Sequence, residues 1–269
     1  MRCTPTPMNK NTLETALNNL PIGRLRYYEK VSSTNDIALA WGDEDSGDFS
    51  IAIANEQSAG RGRSGRVWQT PSDSALAFSL LLIPDIRETK HIPLFTGLGA
   101  LALVDTLRQH YALDAKIKWP NDILINEKKI AGILVEANWQ GDKIKNIVLG
   151  MGVNVYKNSV PSDVLFPATS LEDLKPDVFS KPIRSLLLSQ ILEALIKRRP
   201  SLGRGNLHNA WDENLAFKGK QVQIHARNTP SAQSIPAGRI IGINSDGSLR
   251  LDTHPAIHFG DVHLRPMQV

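Results

Sequence analysis

The sequence predicts an α+β fold in which a large mixed-sheet domain is followed by a small β-barrel. Patterns of both helical and strand periodicity alternate through the first 216 residues. The last ~50 residues hold only short strand-like segments separated by turn signals, which is enough chain for a small barrel. With 269 residues, 41% hydrophobic and 22% charged, the composition is that of an ordinary globular protein.

The first third of the chain reads as strand, helix, strand, strand. "RLRYYEKV" at 24–31 is typical of a strand, and "SSTND" predicts a helix start because Ser33 and Asp36 have capping-box spacing. "DFSIAIANEQ" predicts a second strand. The apolar run "ALAFSLLLI" predicts a buried third strand.

The middle of the chain predicts a long helix, a group of strands and a second helix. Pro93 opens "PLFTGLGALALVDTLRQH", in which leucines recur at helical spacing. "AKIKWPNDILINEKKIAGILVEANW" reads as strand, proline turn, strand, polar turn, strand, and "KNIVLGMGVNV" as one more strand. Residues 183–199 predict a helix that ends at Pro200.

Three segments are expected along the chain. Residues 1–20 are predicted to be a poorly ordered N-terminal segment with one weak helix, "NTLETALNNL". Residues 21–216 form the large domain. Residues 217–269 form the barrel, because the helical pattern stops near 217.

The distribution of charge argues against a DNA-binding surface. The net charge is +4, and Arg61, Arg63 and Arg66 alone carry three positive charges within six residues. Proteins that contact many DNA phosphates spread basic residues along a face. A concentrated cluster fits a small, compact polyanion better.

Cysteine usage and hydropathy indicate a cytoplasmic protein. Cys3 is the only cysteine, so no intrachain disulfide forms, which is typical of a reducing compartment. The sequence has no apolar run of membrane-spanning length and no signal-peptide core.

"SAGRGRSGRVWQTP" at 58–71 contains the spacing G-x-G-x-x-G. A dinucleotide-binding turn requires a helix directly after it, but here a turn and a strand follow, and the Gly-Lys-Ser/Thr end of a P-loop is missing. The glycines then provide a mobile backbone that carries guanidinium groups suited to phosphate or carboxylate. Like charges this close repel one another, which predicts a loop that orders when an anion binds. The alternative is a solvated hairpin tip, and the flanking Gln57 and Trp68 favour a site.

"KWPNDILINEKKIAGILVE" at 118–136 is the second polar constellation. Pro120 predicts a turn, after which Asn121 and Asp122 project at the entry of a strand. Lys129 begins the next strand beside the small pair Ala131-Gly132, so it either extends to solvent or meets a charged ligand.

Together with "SSTN", "ATSL" and "GMGVNV", these stretches resemble the biotin protein ligases, in the family's order from about Arg24 to the C-terminus. The resemblance implies a biotin/lipoate ligase domain of class II synthetase-like fold followed by an SH3-like barrel. It implies that biotin and MgATP form biotinyl-5′-adenylate, and that a lysine of a biotin carboxyl carrier protein then takes up the biotin. About twenty residues precede the first strand, so a form without an N-terminal DNA-binding module is expected.

The resemblance also implies site residues. Those expected to contact biotin are Ser33, Thr34, Asn35, Gln57, Arg61, Gly62, Arg63 and Lys129. Those expected to contact ATP are Arg63, Arg66, Trp68, Asn121, Lys129, Asn154 and Arg265. Lys129, Arg63 and Asp122 are expected to be catalytic, with Asp122 either holding Mg²⁺ or orienting Lys129.

The expected substrates are biotin and ATP with Mg²⁺, with no tightly bound metal because the seven histidines lack ligand spacing. The expected protein partner is a carrier domain of a carboxylase; specific DNA and membranes are not expected, and a weak homodimer is compatible with the sequence. Two rival interpretations remain. One is a lipoate or octanoyl ligase or transferase of the same fold, and the other is a nucleic-acid-binding protein that uses the basic loop and the C-terminal barrel as an interaction module.

Overall fold

The computed structural model describes most of the chain and is built around one large sheet. The described residues are 8–44, 46–162, 166–179, 183–204, 206–226, 234–258 and 262–266. Seven strands form the large sheet in the order β1-β2-β3-β7-β6-β5-β4. Only β1 and β2 pair in parallel, and the other neighbours are antiparallel, so the predicted mixed sheet is confirmed. The strands are β1 (Leu25–Val31), β2 (Ser50–Gln57), β3 (Ala75–Leu82), β4 (Lys116–Lys118), β5 (Asp122–Ile125), β6 (Lys128–Gln140) and β7 (Lys143–Asn154).

One face of this sheet is covered by long helices. The α-helices among the described residues are α1 (Lys10–Leu17), α2 (Thr34–Ala40), α3 (Ile92–Tyr111), α4 (Leu171–Leu174), α5 (Pro176–Phe179), α6 (Arg184–Arg198), α7 (Pro200–Gly203) and α8 (Leu207–Glu213). α3 and α6 pack on each other and on the sheet, and bury the leucines that the periodicity predicted. Gly97 of α3 is required by close packing, because a Cβ there would lie 2.4 Å from the Trp211 ring of α8. Every residue of β3 is buried, as its apolar run predicted, including the polar Ser79 within that run.

The opposite face is covered only in part. α2 packs there through a small cluster that includes Ala38, Trp41 and Val148. Strand alternation sends the large side chains of β3 and β7, such as Phe78 and Leu149, to the helix-covered face. The second face therefore carries small residues beside α2 and leaves space for a cavity.

A second, four-stranded antiparallel sheet follows, in the order β10-β9-β8-β11. Its strands are β8 (Gln221–Ala226), β9 (Ser234–Ile243), β10 (Leu249–Leu251) and β11 (Val262–Pro266). It is consistent with the predicted SH3-like barrel. The expected boundary at 217 falls between α8 and β8, although the division into separate domains stays a prediction. Trp119 Nε1 donates a hydrogen bond of 3.0 Å to the Gly247 carbonyl, which joins this sheet to the large domain.

The expectation of a poorly ordered segment over residues 1–20 is wrong for residues 8–20. Asn9 and Thr12 form a reciprocal capping box at the start of α1. Leu13 and Leu17 are buried in the main core, where α1 packs on α6. These two leucines are four positions apart, so they lie on one face of a short amphipathic helix. Residues 1–7, including Cys3, lie outside the described residues.

Leu13→Ala tests whether α1 is part of the core. Because Leu13 is fully buried, the substitution should lower the free energy of unfolding by about 2–5 kcal/mol. The measurement is urea denaturation of the whole protein. Glu14→Ala, on the exposed face with only an ion pair to Lys10, should change it by less than about 0.5 kcal/mol. Equal, small effects of both substitutions would show that α1 does not stabilise the fold.

Candidate active site

A cavity opens on the second face of the large sheet, between α2, the 58–71 loop and the turn after β4. Twelve residues predicted from the sequence line it: Ser33, Thr34, Asn35, Gln57, Arg61, Gly62, Arg63, Arg66, Trp68, Asn121, Asp122 and Lys129. The tertiary structure therefore collects side chains that are separated by up to about a hundred positions. Whether each binds the substrate that the resemblance implied stays a prediction.

The cavity exists because its floor lacks side chains. On β7, a Cβ at Gly150 would lie 2.0 Å from Asn35 Oδ1, and a Cβ at Gly152 would lie 2.3 Å from the Trp68 indole. Gly150 pairs with Ser79, and Gly152 pairs with Ala77 and Gly132. The two glycines of "GMGVNV" therefore let α2 and the loop approach the strand backbone.

Gln57 caps α2 in place of Ser33. Gln57 Oε1 accepts hydrogen bonds from the Thr34 backbone N–H at 2.8 Å and from Thr34 Oγ1 at 3.1 Å, and Gln57 Nε2 donates to Thr70 Oγ1 at 3.0 Å. Ser33 occupies the N-cap position, but its side chain makes no capping hydrogen bond. The predicted capping box is therefore wrong, because a glutamine from β2 satisfies the helix end. The buried Ser33 side chain lines the cavity instead.

Asn35 is held at both ends of its amide. Its Nδ2 donates to Glu136 Oε2 at 2.7 Å, and its Oδ1 accepts from Ser79 Oγ at 2.6 Å. The residue is buried against the Gly150 backbone. These contacts give the cavity end near α2 a rigid set of polar groups.

Arg61 is paired with two carboxylates of the protein. Its Nη2 lies 2.6 Å from Glu136 Oε2 and 2.9 Å from Asp36 Oδ1. The expectation that all three arginines of the loop repel one another until an anion binds is therefore wrong for Arg61, whose charge is compensated. The loop itself is closed by a hydrogen bond of 2.8 Å from the Gly62 N–H to the Arg66 carbonyl, and Gly65 has the positive φ of 71° that favours glycine.

Lys129 and Asp122 form an ion pair within the cavity. The Nζ–Oδ1 distance is 2.5 Å, and Nζ lies 5.4 Å from the centre of the Trp68 ring. Burial pushes the pKa of Asp122 upward, but the ammonium of Lys129, with its hydrogen bond and the charges of Lys118 and Arg66, outweighs it. The pKa of Asp122 therefore lies below its ordinary value, and the carboxylate stays ionised.

The backbone of Lys129 is fixed by the segment "ATSL". The Lys129 N–H donates to the Pro167 carbonyl at 2.8 Å, and the Thr169 N–H donates to the Lys129 carbonyl at 2.9 Å. This segment pairs with the start of β6 as a short parallel bridge. The ammonium is therefore aimed into the cavity and does not extend to bulk solvent.

Three further predicted nucleotide contacts differ in their position: Asn121 lines the cavity, while Asn154 and Arg265 are not among the described residues that line it. Asn121 Nδ2 donates to the Ile133 carbonyl at 2.8 Å, and Asn154 Nδ2 donates to the Thr169 carbonyl at 3.2 Å, so both amides also hold backbone in place. Asn154 lines an adjoining cavity with Arg66, Trp68 and Lys129. Arg265 lies in β11, and its side chain falls outside the described part of the structure.

Glu136, Gly150 and Gly152 were missed by sequence reasoning as functional residues, although all three lie in the motifs that carry the resemblance. The signal was present: strand alternation from Gly132 places Leu134 and Glu136 on the same face, and both glycines of β7 also face that way. Lys118 and Trp119 also line the cavity and were not assigned.

The cavity presents hydrogen-bond donors for an incoming acceptor. Trp68 Nε1 and Arg61 Nε are buried with no hydrogen-bond partner among the described residues. Buried donors of this kind are costly unless a ligand satisfies them. Within the described ranges, no group of three or more His, Cys, Asp or Glu side chains is placed to hold a metal ion, and no helix is long and apolar enough to cross a membrane.

Comparison with known proteins places these motifs in one family. Residues 27–154 match the model of the biotin/lipoate A/B protein ligase family. The bifunctional ligase/repressor BirA of Bacillus subtilis is 30% identical over 259 residues, covering 94% of this chain and 77% of the relative. The biotin–[acetyl-CoA-carboxylase] ligase of Mycobacterium tuberculosis is 31% identical over 80% of this chain and 79% of the relative.

A solved structure of the biotin protein ligase from Aquifex aeolicus, in complex with biotin and ATP, matches with a TM-score of 0.72. The match covers 91% of this chain and 99% of that one, at 22% identity. It shows a likeness of fold over most of the chain.

The Asp122–Lys129 pair predicts a pH-dependent effect of Lys129→Met. In the parent, the lowered pKa of Asp122 stabilises the fold above its ordinary pKa of about 4, and this contribution is lost as the pH falls through the lowered value. Without Lys129, burial dominates and favours the protonated carboxyl. The variant should therefore lose about 1–3 kcal/mol of unfolding free energy at pH 7 and less at pH 5.

Urea denaturation at the two pH values measures this difference. The double variant Asp122→Asn/Lys129→Met removes the unpaired carboxylate and should recover most of the loss at pH 7. A loss that is equal at both pH values, or that persists in the double variant, would contradict the ion-pair explanation.

Proposed function

The chain belongs to the biotin/lipoate A/B protein ligase family, and we propose that it is the biotin ligase that modifies a biotin carboxyl carrier protein. It activates biotin with ATP as biotinyl-5′-adenylate and transfers the biotin to a lysine of the carrier. The observation that carries this proposal is one cavity with a rigid polar end at Asn35 and Gln57 and a paired ammonium at Lys129. The names of the relatives in B. subtilis and M. tuberculosis support it.

We propose that the end of the cavity near α2 receives the ureido ring of biotin. That ring offers one carbonyl acceptor and two N–H donors. The neighbouring Ser33, Thr34, Asn35 and Gln57 side chains supply hydroxyl and amide groups that complement both kinds. Arg61 and Gly62 then form the wall on the loop side.

The first reaction brings two anions together. A biotin carboxylate oxygen attacks the α-phosphorus of ATP, the bond from that phosphorus to the bridging oxygen of the β-phosphate breaks, and pyrophosphate leaves. Lys129 and Arg63 lower the repulsion between the carboxylate and the triphosphate, because both line the cavity and carry positive charge. Arg66 and Trp68 extend from this point into the adjoining cavity, where Asn154 also lies, which suits the rest of the nucleotide.

Asp122 acts through Lys129 in this proposal. Its Oδ1 already contacts the ammonium at 2.5 Å, so it holds Nζ in place within the cavity. Mg²⁺ arrives with ATP as part of the substrate. Because the described residues contain no group of three or more His, Cys, Asp or Glu side chains placed to hold a metal ion, the triphosphate would supply most of the ligands of that ion.

In the second reaction, the neutral ε-amine of a carrier lysine attacks the acyl carbon of the adenylate. The bond from that carbon to the phosphate oxygen breaks, AMP leaves, and the new amide nitrogen loses a proton. The same cationic groups stabilise the departing phosphate.

Other aspects remain predictions. A cytoplasmic location is proposed because Cys3 is the only cysteine of the sequence. The expectations of no specific DNA binding, no tightly bound metal and at most a weak homodimer also stay predictions.

Lipoate is the rival substrate, since the family includes lipoate ligases. Incubation with MgATP, a carrier domain and either biotin or lipoate distinguishes them: we expect a mass increase of the carrier with biotin alone.

Lys129→Ala should abolish adenylate formation. Losing a donor placed at the reacting phosphate typically costs about 3 kcal/mol, so the rate of biotin-dependent pyrophosphate release should fall by about two to three orders of magnitude. Lys128→Ala is the matched control, because Lys128 is exposed on the same strand. Its rate should stay within about twofold of the parent. An equally active Lys129→Ala protein would remove Lys129 from the mechanism.

Arg63→Ala should release the adenylate prematurely. Arg63 lines the cavity from the centre of the loop, and losing one charge-assisted hydrogen bond should speed escape by roughly ten- to a hundredfold. The variant should therefore label lysines of a bystander protein while its yield on the carrier falls. Mass spectrometry of the bystander gives the readout, with Arg87→Ala as a control on an exposed arginine outside the cavity. Bystander labelling no higher than that of the parent, at a measurable rate of adenylate formation, would argue against retention.

A further inference from the structure

Glu136 lies where the polar end of the cavity meets the glycine loop. Its Oε2 accepts a hydrogen bond from Asn35 Nδ2 at 2.7 Å and a charge-assisted hydrogen bond from Arg61 Nη2 at 2.6 Å. The side chain is 27% exposed, and it projects from β6 two residues beyond Leu134, on the cavity face. No role follows for it from the resemblance or from the proposed reaction steps.

The hydrogen bonds of Asn35 depend on the orientation of its amide. Its Oδ1 faces Ser79 Oγ at 2.6 Å, and its Nδ2 faces Glu136. A reversed amide would turn Nδ2 toward Ser79 and Oδ1 toward Glu136. Ser79 tolerates both orientations, since a hydroxyl group donates and accepts.

Glu136 tolerates only one orientation. An ionised carboxylate accepts hydrogen bonds and donates none, so a reversed Asn35 would set two acceptors against each other. The Asn35 side chain also rests against the Gly150 backbone, where even a Cβ would not fit, so it has little room to escape by moving. Glu136 is therefore the contact that selects the amide orientation.

From this geometry we infer that Glu136 is a positioning residue for biotin recognition. It fixes the donor and acceptor atoms that Asn35 presents to the ureido ring, and so sets the selectivity for that ring over rings with another hydrogen-bonding pattern. The same oxygen anchors Arg61, which ties the loop to the recognition end of the cavity. This inference rests on the proposed function, because it assumes that biotin binds beside Asn35.

Glu136→Gln tests the inference with almost no change in side-chain size. A glutamine both donates and accepts, and Arg61 keeps its ion pair with Asp36, so the glutamine can turn either end of its amide toward Asn35, which becomes free to adopt either orientation. The ligands are biotin and 2-iminobiotin, whose ring carries a protonated imino group where biotin has its carbonyl. Isothermal titration of the whole protein with each ligand, without ATP, gives the two dissociation constants.

We expect the Kd for biotin to rise about tenfold or more in Glu136→Gln. The Kd for 2-iminobiotin should change less, so the preference for biotin falls. The KM for ATP should stay within about twofold. Asp36→Asn is the matched control: it removes the other carboxylate on Arg61, and Asp36 makes no hydrogen bond to the Asn35 side chain. It should keep the preference for biotin.

Ser79→Ala provides a second test if Glu136→Gln does not fold. It removes the Ser79 hydroxyl contacts to Asn35 and to Thr34 and leaves Glu136 in place, so the affinity for biotin should fall while the preference over 2-iminobiotin is kept. A lost preference in Ser79→Ala would overturn the inference, as would an unchanged preference in Glu136→Gln or an equal loss in Asp36→Asn. If the parent protein neither binds biotin nor modifies a carrier, the proposed function itself fails, which is a distinct outcome.

Discussion

The absence of side chains at Gly150 and Gly152 is the constraint on which the rest of the site depends. β7 is the central strand of the seven-stranded sheet, and Gly150 and Gly152 lie on the same face of it, where no side chain covers the backbone. Asn35 and the Trp68 indole occupy the space where their Cβ atoms would lie. Because of this close approach, α2, the glycine loop and the start of β6 converge on one cavity, while the opposite face of the same strands holds the large apolar residues of the core.

The cavity also depends on the pairing of its positively charged side chains with carboxylates of the protein. Lys129 and Arg61, two cations that line the cavity, are each paired with a carboxylate of the protein at 2.5 and 2.6 Å. Half-buried charges are costly without partners, so these pairs make the cationic site compatible with a stable fold before substrate arrives. The pairing also orients each cation. Asp122 holds the ammonium beside Trp68, and Glu136 holds the guanidinium next to the amide of Asn35.

Contacts between residues that are far apart in the sequence hold the charged and polar groups of the cavity in position. The segment before α4 fixes the backbone of Lys129 through Pro167 and Thr169. Trp119, at the turn that delivers Asp122, is hydrogen-bonded to Gly247 of the C-terminal sheet, so that sheet supports the wall of the cavity. α1 contributes in the same indirect way, because its leucines complete the core on the helix-covered face. The contacts of Pro167, Thr169 and Gly247 each connect a residue of the cavity to a segment for which no role in the reaction is proposed.

Strand and helix periodicity, turn residues and the ordered motifs were enough to predict the main strands, the helices α2, α3 and α6, the α+β class, the family and twelve residues that line the cavity. Each of these is local, because it depends on a repeat or a short motif. Tertiary structure alone decided how the polar groups pair. That Gln57 caps α2 in place of Ser33, that Arg61 is neutralised by Asp36 and Glu136, and that α1 joins the core all depend on residues that come together only after the sheet forms. Hydrogen bonds and ion pairs form between residues that are close in space. A single sequence gives the type of each residue, but it does not give the distance between residues that are far apart along the chain.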